Sequence, residues 1–346
     1  MDKKKLIASL VFIIIVGAVI MSLTVSKKSY AVGTTLVDIV KALNKGSSWS
    51  AGASGVYYTN SHEYRYIGAE VNNYVKFNND LYRIIGVFDS NSHGVTGTEL
   101  VKLIRARSLG GYSWGVYNTD NSAGTYSGYA NDWTGKATKS KANLNVLFNE
   151  YFYNKTDISS TYGDCANWTY YYSSNDYKTK DCSNIIAYGI DSSLRGYIET
   201  TAWYLYGSRT SQSKQNWYLC ERGGNSCTPS GPSTGDTSVT SKIGLMYLSD
   251  YLYASGYYSN ADTSIQDMYY FGNKNWLYKG YEWTLTPDSS STDRVWGVDG
   301  GVKSYGYTNY RYGSRPTFYL KSSVYVTGGN GSFDNPYTIA CDNCTE

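Results

Sequence analysis

The longest apolar stretch of the chain lies near its N-terminus, where residues 6–25 carry no charged side chain. Lysines occupy positions 3, 4 and 5 before this stretch, and Lys27 and Lys28 follow it. Twenty helical residues rise by about 30 Å, which is enough to cross the hydrocarbon core of a bilayer. Because the leading lysines favour a cytoplasmic N-terminus, the pattern predicts that the rest of the chain is exported.

Residues 1–31 have two possible fates after export. Ser29 and Ala31 place small residues where a signal peptidase reads the chain, so cleavage after Ala31 would make the segment a signal peptide. The apolar run is also long enough for an uncleaved signal anchor. Both readings place the remaining chain outside the cytoplasm.

The next element is a short amphipathic helix followed by a linker, together covering residues 32–56. Leu36, Ile39, Val40 and Leu43 recur at helical spacing, and Gly46 marks the expected end of the helix. Residues 47–54 are rich in Ser and Gly, which predicts a flexible link.

A single domain is expected over residues 57–339, with a Cys-x-x-Cys tail at 340–346. Residues 73–89 predict a hairpin that turns at Asn78-Asn79-Asp80, and 99–106 predict the next strand. Apolar residues at helical spacing predict short helices over 144–151 and 194–205, the second ending at Gly207.

The sequence of the C-terminal half predicts loops and short strands. Residues 207–240 predict a long polar loop, and residues 242–247 alternate as in a strand. Further strands are expected at 283–286, 295–298 and 302–305, with the last two joined by Asp299-Gly300, and a final strand at 317–325. The whole predicts an α+β fold with short, mostly antiparallel strands, few helices and long loops.

The composition of the chain restricts the classes of function that it can have. The net charge is +3 and 17% of residues are charged, which gives no basic face for nucleic acid and no acidic tail. The chain has 39 Tyr and 9 Trp, and such amphipathic aromatics suit a β-rich extracellular surface. This surface either recognises a ligand or is a solvated tyrosine-rich sheet without one.

Six cysteines fall into three neighbouring pairs, and an even count in an exported chain predicts disulfides. Local pairing is the simplest connectivity. A redox role for the last pair would need a helix after its first Cys, yet only two residues follow Cys344. His62 and His93 lie far from any Cys, which also argues against zinc. The expected pairs are Cys165–Cys182, Cys220–Cys227 and Cys341–Cys344.

Catalytic signatures are missing from the sequence. Neither histidine lies beside a candidate nucleophile, and no glycine-rich phosphate loop is followed by Lys-Ser/Thr. Asp120, Asn121 and Asp293 do not have the regular spacing of a calcium loop. We therefore expect no catalytic residue, metal or cofactor. A carboxylate pair for glycoside hydrolysis stays open, because its spacing is set in three dimensions.

A recognition face is predicted near the C-terminus. Side chains alternate along an extended chain, so every second residue from Lys303 to Arg311 would share one face. Tyr and Trp offer a large contact area at low entropic cost, and Asn and Asp add hydrogen bonds. The alternative is cross-strand tyrosine packing that only holds a sheet together. The candidate ligand-binding residues are Trp283, Asp293, Trp296, Lys303, Tyr305, Tyr307, Asn309, Tyr310 and Arg311.

Several segments resemble a known group of proteins. They are residues 74–89 (YVKFNNDLYRIIGVFD), 242–255 (KIGLMYLSDYLYAS), 283–290 (WTLTPDSS), 313–322 (GSRPTFYLKS) and 328–338 (GGNGSFDNPYT). Together they resemble uncharacterised secreted proteins of Gram-positive bacteria, whose ordered domain is similar to the formylglycine-generating-enzyme branch of C-type-lectin-like folds. This resemblance implies a ligand face before the closing strand, within residues 283–314. Some members of that superfamily are diversified receptors that bind through Tyr, Asn, Ser and Asp.

The chain departs from the enzyme at the motif that carries its chemistry. The formylglycine-generating enzyme has a copper-binding cysteine pair around a closing Gly-x-Arg-Cys motif. Here the motif reads Gly313-Ser314-Arg315-Pro316, and no Cys lies between Cys227 and Cys341. The resemblance therefore does not imply oxidase activity, and it implies a structural role for Arg315.

The sequence as a whole predicts an exported, non-catalytic cell-surface binding protein, such as an adhesin or receptor. Its partner is expected to be a glycan or protein on another cell or in the envelope, and its location extracellular, secreted or held by the N-terminal segment. Two alternatives stay open: an enzyme of the same fold with unknown chemistry, and a structural envelope protein.

Overall fold

A computed structural model describes residues 33–115, 133, 144–156, 183–208, 213–224, 227–229, 237–257, 274–289, 294–299, 302–308 and 310–346. The chain divides into Met1–Ala31 and Val32–Glu346, and all described residues belong to the second unit. The predicted N-terminal membrane segment lies outside the described residues. Within the described ranges, no helix has the length and apolarity needed to cross a bilayer.

Short strands make up most of the regular structure. In chain order they are β1 (Gly55–Tyr58), β2 (Tyr64–Ile67), β3 (Tyr74–Phe77), β4 (Asp80–Phe88), β5 (Leu100–Arg105), β6 (Gly111–Ser113), β7 (Thr201–Tyr204), β8 (Tyr206–Gly207), β9 (Thr228–Pro229), β10 (Ser238–Ser241), β11 (Glu282–Pro287), β12 (Arg294–Asp299), β13 (Val302–Tyr307), β14 (Arg311–Gly313), β15 (Thr317–Leu320), β16 (Tyr325–Gly328) and β17 (Tyr337–Ala340).

The helices are short and lie between the strands. They are α1 (Leu36–Ala42), α2 (Ser90–His93), α3 (Leu144–Val146), α4 (Ser183–Ala187), α5 (Ser192–Arg195), α6 (Lys214–Glu221) and α7 (Leu248–Ala254). A π-helix, Leu147–Phe152, continues α3. The predicted helix over 144–151 is therefore present, with its hydrogen bonds widened to five residues, as from Tyr153 N to Phe148 O.

The larger sheet is centred on β4, which pairs with β2, β3 and β5. Its strand order is β1-β2-β4-β3-β17-β16, and β15 pairs with β5. Every pairing is antiparallel except that of β17 with β3, which is parallel. The parallel pair joins the C-terminal strand to the hairpin that β3 forms with β4.

A second sheet has the order β13-β12-β11-β14-β6, and two short ribbons pair β10 with β7 and β8 with β9. Helices and mainly antiparallel strands thus share one chain, which confirms the predicted α+β class. The predicted strands at 283–286, 295–298 and 302–305 are β11, β12 and β13. Asp299 and Val302 face each other in register, so the predicted hairpin between the last two strands is present.

The β3–β4 hairpin forms where the sequence predicts it. Asn78 and Asn79 have φ of 55° and 57°, and Phe77 pairs with Asp80 across them. Asparagine tolerates this left-handed conformation better than most residues, so the Asn-Asn dipeptide suits a two-residue turn. The hairpin places Tyr74 directly opposite Arg83.

Helix α1 is confirmed, but it is not separated from the domain by a free linker. The Thr35 side chain caps the helix by accepting from Asp38 N at 3.1 Å. Leu36, Ile39 and Val40 are buried, and the helix packs against β4 and β5. In the predicted flexible link, Trp49 is also buried and contacts Tyr57.

The predicted helix over 194–205 is wrong. Only α5 is helical, and the chain then extends into β7, which pairs with β10. Thr201 and Trp203 are buried while Ala202 and Tyr204 are partly exposed, so burial has the period of two of a strand. The β-branched and aromatic residues of β7 favour this state, and a partner strand supplies the ladder that a local pattern cannot reveal.

Three further predictions need correction. The polar loop predicted over 207–240 contains α6, whose Ser213 cap accepts from Asn216 N at 3.2 Å. The strand predicted over 242–247 is reduced to one bridge, Gly244 to Thr317, and α7 follows it. The strand predicted over 317–325 ends at Leu320, and β16 and β17 come after it.

Two of the predicted disulfides are present. Cys220 and Cys227 are bonded, and so are Cys341 and Cys344. The first pair ties the buried end of α6 to the entry of β9. Cys165 and Cys182 lie outside the described residues.

Candidate functional site

The two tryptophans of the predicted recognition face are core residues. Trp283 and Trp296 are only 1% and 4% exposed. Their indole N–H groups donate to Tyr112 O at 2.9 Å and to Ser208 O at 2.7 Å. The expected exposure of both rings is wrong, because β11 and β12 direct these two side chains into the protein core.

Part of the predicted face does form an aromatic surface. Tyr307 and Tyr310 meet edge to face with ring centroids 5.5 Å apart. The ring centroid of Tyr312 lies 4.4 Å from that of Trp283 and 5.8 Å from that of Tyr281. We call Tyr281, Tyr307, Tyr310 and Tyr312 the tyrosine cluster. Its members Tyr281 and Tyr310 are 57% and 39% exposed. Tyr281 was not predicted as a contact residue, because it lies in the loop just before β11.

The predicted alternation from Lys303 to Arg311 is interrupted after Tyr307. Lys303 and Tyr305 lie in β13, but Tyr310 N donates to Tyr307 O at 2.8 Å, which closes a turn. Arg311 then begins β14, a strand between β11 and β6. Asp293 and Asn309 lie outside the described residues.

Arg315 has the structural role that was expected. It is 2% exposed, and its Nη2 donates to Glu282 Oε2 and to Leu277 O, both at 2.6 Å. The guanidinium thus joins the segment before β15 to β11 and to the loop before it.

A concave site lies elsewhere, at two adjoining cavities of about 450 and 610 Å³. Tyr74, Lys279 and Phe333 line both of them. We call these two cavities together the groove. Their volumes lie in the range of small-molecule sites in proteins.

The aromatic wall of the groove is built by the parallel β3–β17 pair. Tyr74 begins β3, and its N–H donates to Gly331 O at 2.8 Å. This bond fixes the loop before β17, so Phe333 meets the Tyr74 ring edge to face at 5.4 Å. Gly331 has φ of 78°, and a Cβ there would lie 2.6 Å from Asn72 O, so the loop requires glycine. Phe333 is 57% exposed.

The loop that carries Phe333 is held by its own polar groups. Asn330 N donates to Asn335 O at 3.0 Å, and Ser332 N donates to Asn330 Oδ1 at 3.1 Å. Asn335 N donates to Ser332 Oγ at 3.1 Å. These bonds fix the loop and with it the position of the exposed Phe333 ring.

Arg83 lines the larger cavity and is almost completely buried. Its guanidinium lies between Tyr74 and Trp276, 4.3 and 4.5 Å from the ring centroids. Its three nitrogens donate to Asn73 Oδ1, Trp276 O and Val71 O, all neutral acceptors. Burial lowers the pKa of Arg83 to about 10, and the positive charge of Arg315 adds to this effect.

The groove has an excess of positive charge. Lys279 is exposed, and partial burial together with the charges of Arg83 and Arg315 lowers its pKa against the opposing effect of Glu282. In the smaller cavity Arg107 is exposed, while Arg105 Nε donates to Asp80 Oδ2 at 2.5 Å. Among the described residues that line the larger cavity, Glu70 is the one with a carboxylate.

Sequence analysis did not predict the groove. Two of its parts lie in the segments that carry the family resemblance, residues 74–89 and 328–338, but no pattern places them side by side. One signal was available: Phe333 is a large apolar residue inside a loop otherwise made of Gly, Asn, Ser, Asp and Pro. Such a residue has no core to join unless the loop folds back, and it is then a candidate contact residue.

Titratable groups also cluster in the core, but solvent does not reach them. Glu63, Arg65, Lys102 and Asp250 have side chains at most 1% exposed and pair with one another at 2.5–2.8 Å. A cluster this enclosed gives a substrate no access, so we assign it to the stability of the fold. In the part of the chain that the structure describes, no group of His, Cys, Asp or Glu side chains is arranged to hold a metal ion.

No protein-family model, curated protein or solved structure matches this chain.

Proposed function

We propose that this protein is an exported, non-catalytic cell-surface protein that binds glycans through the groove. The observation that carries the proposal is the exposed Phe333 ring, fixed against Tyr74 at the junction of two cavities. Aromatic rings stack on the apolar faces of sugar rings, and the cationic and amide groups around them donate hydrogen bonds to hydroxyls. Cavities of this size accommodate one or two sugar units each.

The shape of the groove favours a glycan over a protein partner. A protein interface needs a broad patch with a well-packed apolar centre. The groove instead offers concave walls with one exposed phenyl ring and several charged side chains. Concave sites with few, well-placed polar groups are typical of small ligands.

Export is supported by two independent features. The lysines and the uncharged stretch at residues 6–25 direct the chain across a membrane. The Cys220–Cys227 and Cys341–Cys344 disulfides persist in an oxidising compartment and are rare in the cytosol. Both features agree with a location at the cell surface or outside the cell.

We also propose a C-type-lectin-like fold related to secreted proteins of Gram-positive bacteria. It is supported by the α+β layout and by the closing Gly-Ser-Arg segment, whose Arg315 is tied to Glu282. An enzymatic role has less support. The groove carboxylates Asp80 and Glu70 line different cavities, and Asp80 already accepts from Arg105.

The tyrosine cluster is a second candidate surface for the same function. Tyr281 and Tyr310 expose their rings there, and the loop that carries Tyr281 also carries Lys279 of the groove. It is less enclosed than the groove, so we rank it second.

A glycan array tests the proposal. The full chain should bind a subset of printed glycans, and Phe333→Ala should remove most of the signal at an unchanged melting temperature. Leu219→Ala is the matched control, because Leu219 is 40% exposed on α6 and does not line the groove. Loss of signal on Tyr310→Ala with full signal on Phe333→Ala would transfer the function to the tyrosine cluster. Absence of any glycan signal would contradict the proposal.

A further inference from the structure

We infer that the ligand of the groove carries an anionic group, a carboxylate or a phosphate, which binds at Lys279 beside Arg83. This inference rests on the proposed glycan-binding function and specifies its ligand class. An acidic sugar would supply both the ring that stacks on Phe333 and the negative charge.

Several other buried cations of this protein are neutralised by carboxylates. Lys102 and Arg65 pair with Asp250 at 2.7 and 2.8 Å, and Arg315 pairs with Glu282 at 2.6 Å. Arg83 is equally buried, yet within the described residues no carboxylate lies in ion-pair distance of it. Burying a charge is costly unless an opposite charge accompanies it.

Arg83 retains hydrogen-bonding capacity beyond its three bonds. A guanidinium has five N–H donors. Three bonds from Arg83 are present, one from each nitrogen, and they go to Asn73, Trp276 and Val71. The Tyr74 and Trp276 rings cover its faces, which leaves its remaining Nη donors at the edge of the guanidinium. Planar, charged donors of this kind suit carboxylate and phosphate oxygens.

A second cation, Lys279, lines the same cavity as Arg83. Lys279 lines both cavities and makes no hydrogen bond or ion pair with a described residue. Burial and the positive charges of Arg83 and Arg315 lower the pKa of Lys279, and together they exceed the opposite effect of Glu282. Two like charges held close repel each other, and one bound anion would stabilise both.

The carboxylates near the groove do not cancel this excess. Asp80 is occupied by Arg105 at 2.5 Å. Glu70 is exposed to solvent, where water screens its charge, and it raises the pKa of Arg83 by less than burial lowers it. The field in the larger cavity therefore attracts an anion.

The test is a printed array of acidic glycans, each beside its neutral counterpart. Uronate oligosaccharides are paired with their methyl esters, sialylated glycans with desialylated ones, and phosphorylated glycans with dephosphorylated ones. The full chain should bind the acidic member at least about fivefold more tightly in one of these series, and 0.5 M salt should weaken that binding. The series that responds distinguishes a carboxylate from a phosphate.

Variants assign the effect to Lys279. Lys279→Gln should reduce the preference for the acidic member to about twofold or less, whereas Lys45→Gln, an exposed lysine outside the groove, should leave it unchanged. Lys279→Glu should reverse the preference. Lys279 is solvent-exposed, so neither variant is expected to unfold the protein.

The outcomes separate the two proposals. Equal binding of acidic and neutral members, with loss on Phe333→Ala, would overturn the anionic ligand and keep the glycan-binding function. An acidic preference that survives Lys279→Gln and Lys279→Glu would also overturn the assignment. Failure of every glycan to bind would contradict the proposed function itself.

Discussion

Lys102 Nζ lies 2.7 Å from Asp250 Oδ2, and both side chains are completely buried. Four aromatic rings surround the ammonium group at 4.5–5.4 Å, those of Phe88, Trp203, Tyr247 and Tyr319. Asp250 also accepts from Arg65 Nη1 at 2.8 Å and from Tyr247 N at 2.9 Å. One carboxylate thus links α7 to β2 and to β5, the strand next to the centre of the larger sheet.

Asp250→Ala should destabilise the protein strongly. Removing this carboxylate leaves Lys102 buried without an opposite charge, and such a loss costs about 3–5 kcal/mol. Lys102→Met should cost less, because Arg65 continues to neutralise Asp250. Urea unfolding of both variants measures the difference, with exposed Asp334→Ala as the control. A smaller loss for Asp250→Ala than for Lys102→Met would contradict this ranking.

The stability of the protein should decline in acid because the Asp250 carboxylate becomes protonated. Burial opposes the ionisation of Asp250, but Lys102 and Arg65 outweigh burial and lower its pKa to about 2. The unfolded chain has the ordinary pKa of about 4, so the unfolded state binds the proton more tightly. The stabilisation is therefore complete above about pH 4 and disappears as the pH falls towards 2. Melting temperatures measured from pH 2 to pH 6 should show this loss, and Asp250→Asn should flatten it.

Glu282→Gln should weaken the fold without abolishing ligand binding. The substitution removes the charge that neutralises Arg315 at 2.6 Å inside the core, and we expect a loss of about 3 kcal/mol in the free energy of unfolding. At a temperature where the variant is folded, its affinity for glycans should fall by no more than about twofold. Calorimetry and a binding titration on the same sample separate the two effects. A large loss of affinity in the folded variant would assign Arg315 to the binding site.

The two described disulfides should differ in their contribution to the free energy of unfolding. Loop closure in the chain-entropy model favours the longer Cys220–Cys227 loop over the Cys341–Cys344 loop, with separations of 7 and 3 residues. Cys220 is also fully buried, so its replacement disturbs packing. Replacing the first pair with Ala should cost about 3 kcal/mol and the second about 2 kcal/mol or less. Unfolding curves without reductant measure both, and an equal or reversed order would contradict the argument.

Local patterns predicted the elements whose contacts are local. The β3–β4 hairpin needs only its Asn78-Asn79 turn, and α1 needs only its apolar stripe. The 194–205 segment failed because its state is decided by pairing with β10, which is distant in the sequence. The expected exposure of Trp283 and Trp296 is wrong, because their aromatic character and closeness in sequence do not say which face of a strand is buried.

The groove could not be predicted from the sequence either, because long-range pairing brings its residues together. Tyr74, Arg83, Lys279 and Phe333 come from segments far apart, and the parallel β3–β17 pairing brings the last of them to the first. No spacing rule encodes that pairing. That no carboxylate of the described residues pairs with Arg83 likewise becomes visible only when the neighbours of each buried cation are known in three dimensions.

Hydrogen–deuterium exchange of the full chain, with and without the tightest glycan from the array, tests the binding site most directly. We predict that the glycan slows exchange in the loops of residues 274–281 and 329–336, which carry Lys279 and Phe333. Exchange in residues 307–313, around the tyrosine cluster, should stay unchanged. Protection confined to 307–313, with none in the two groove loops, would contradict the account.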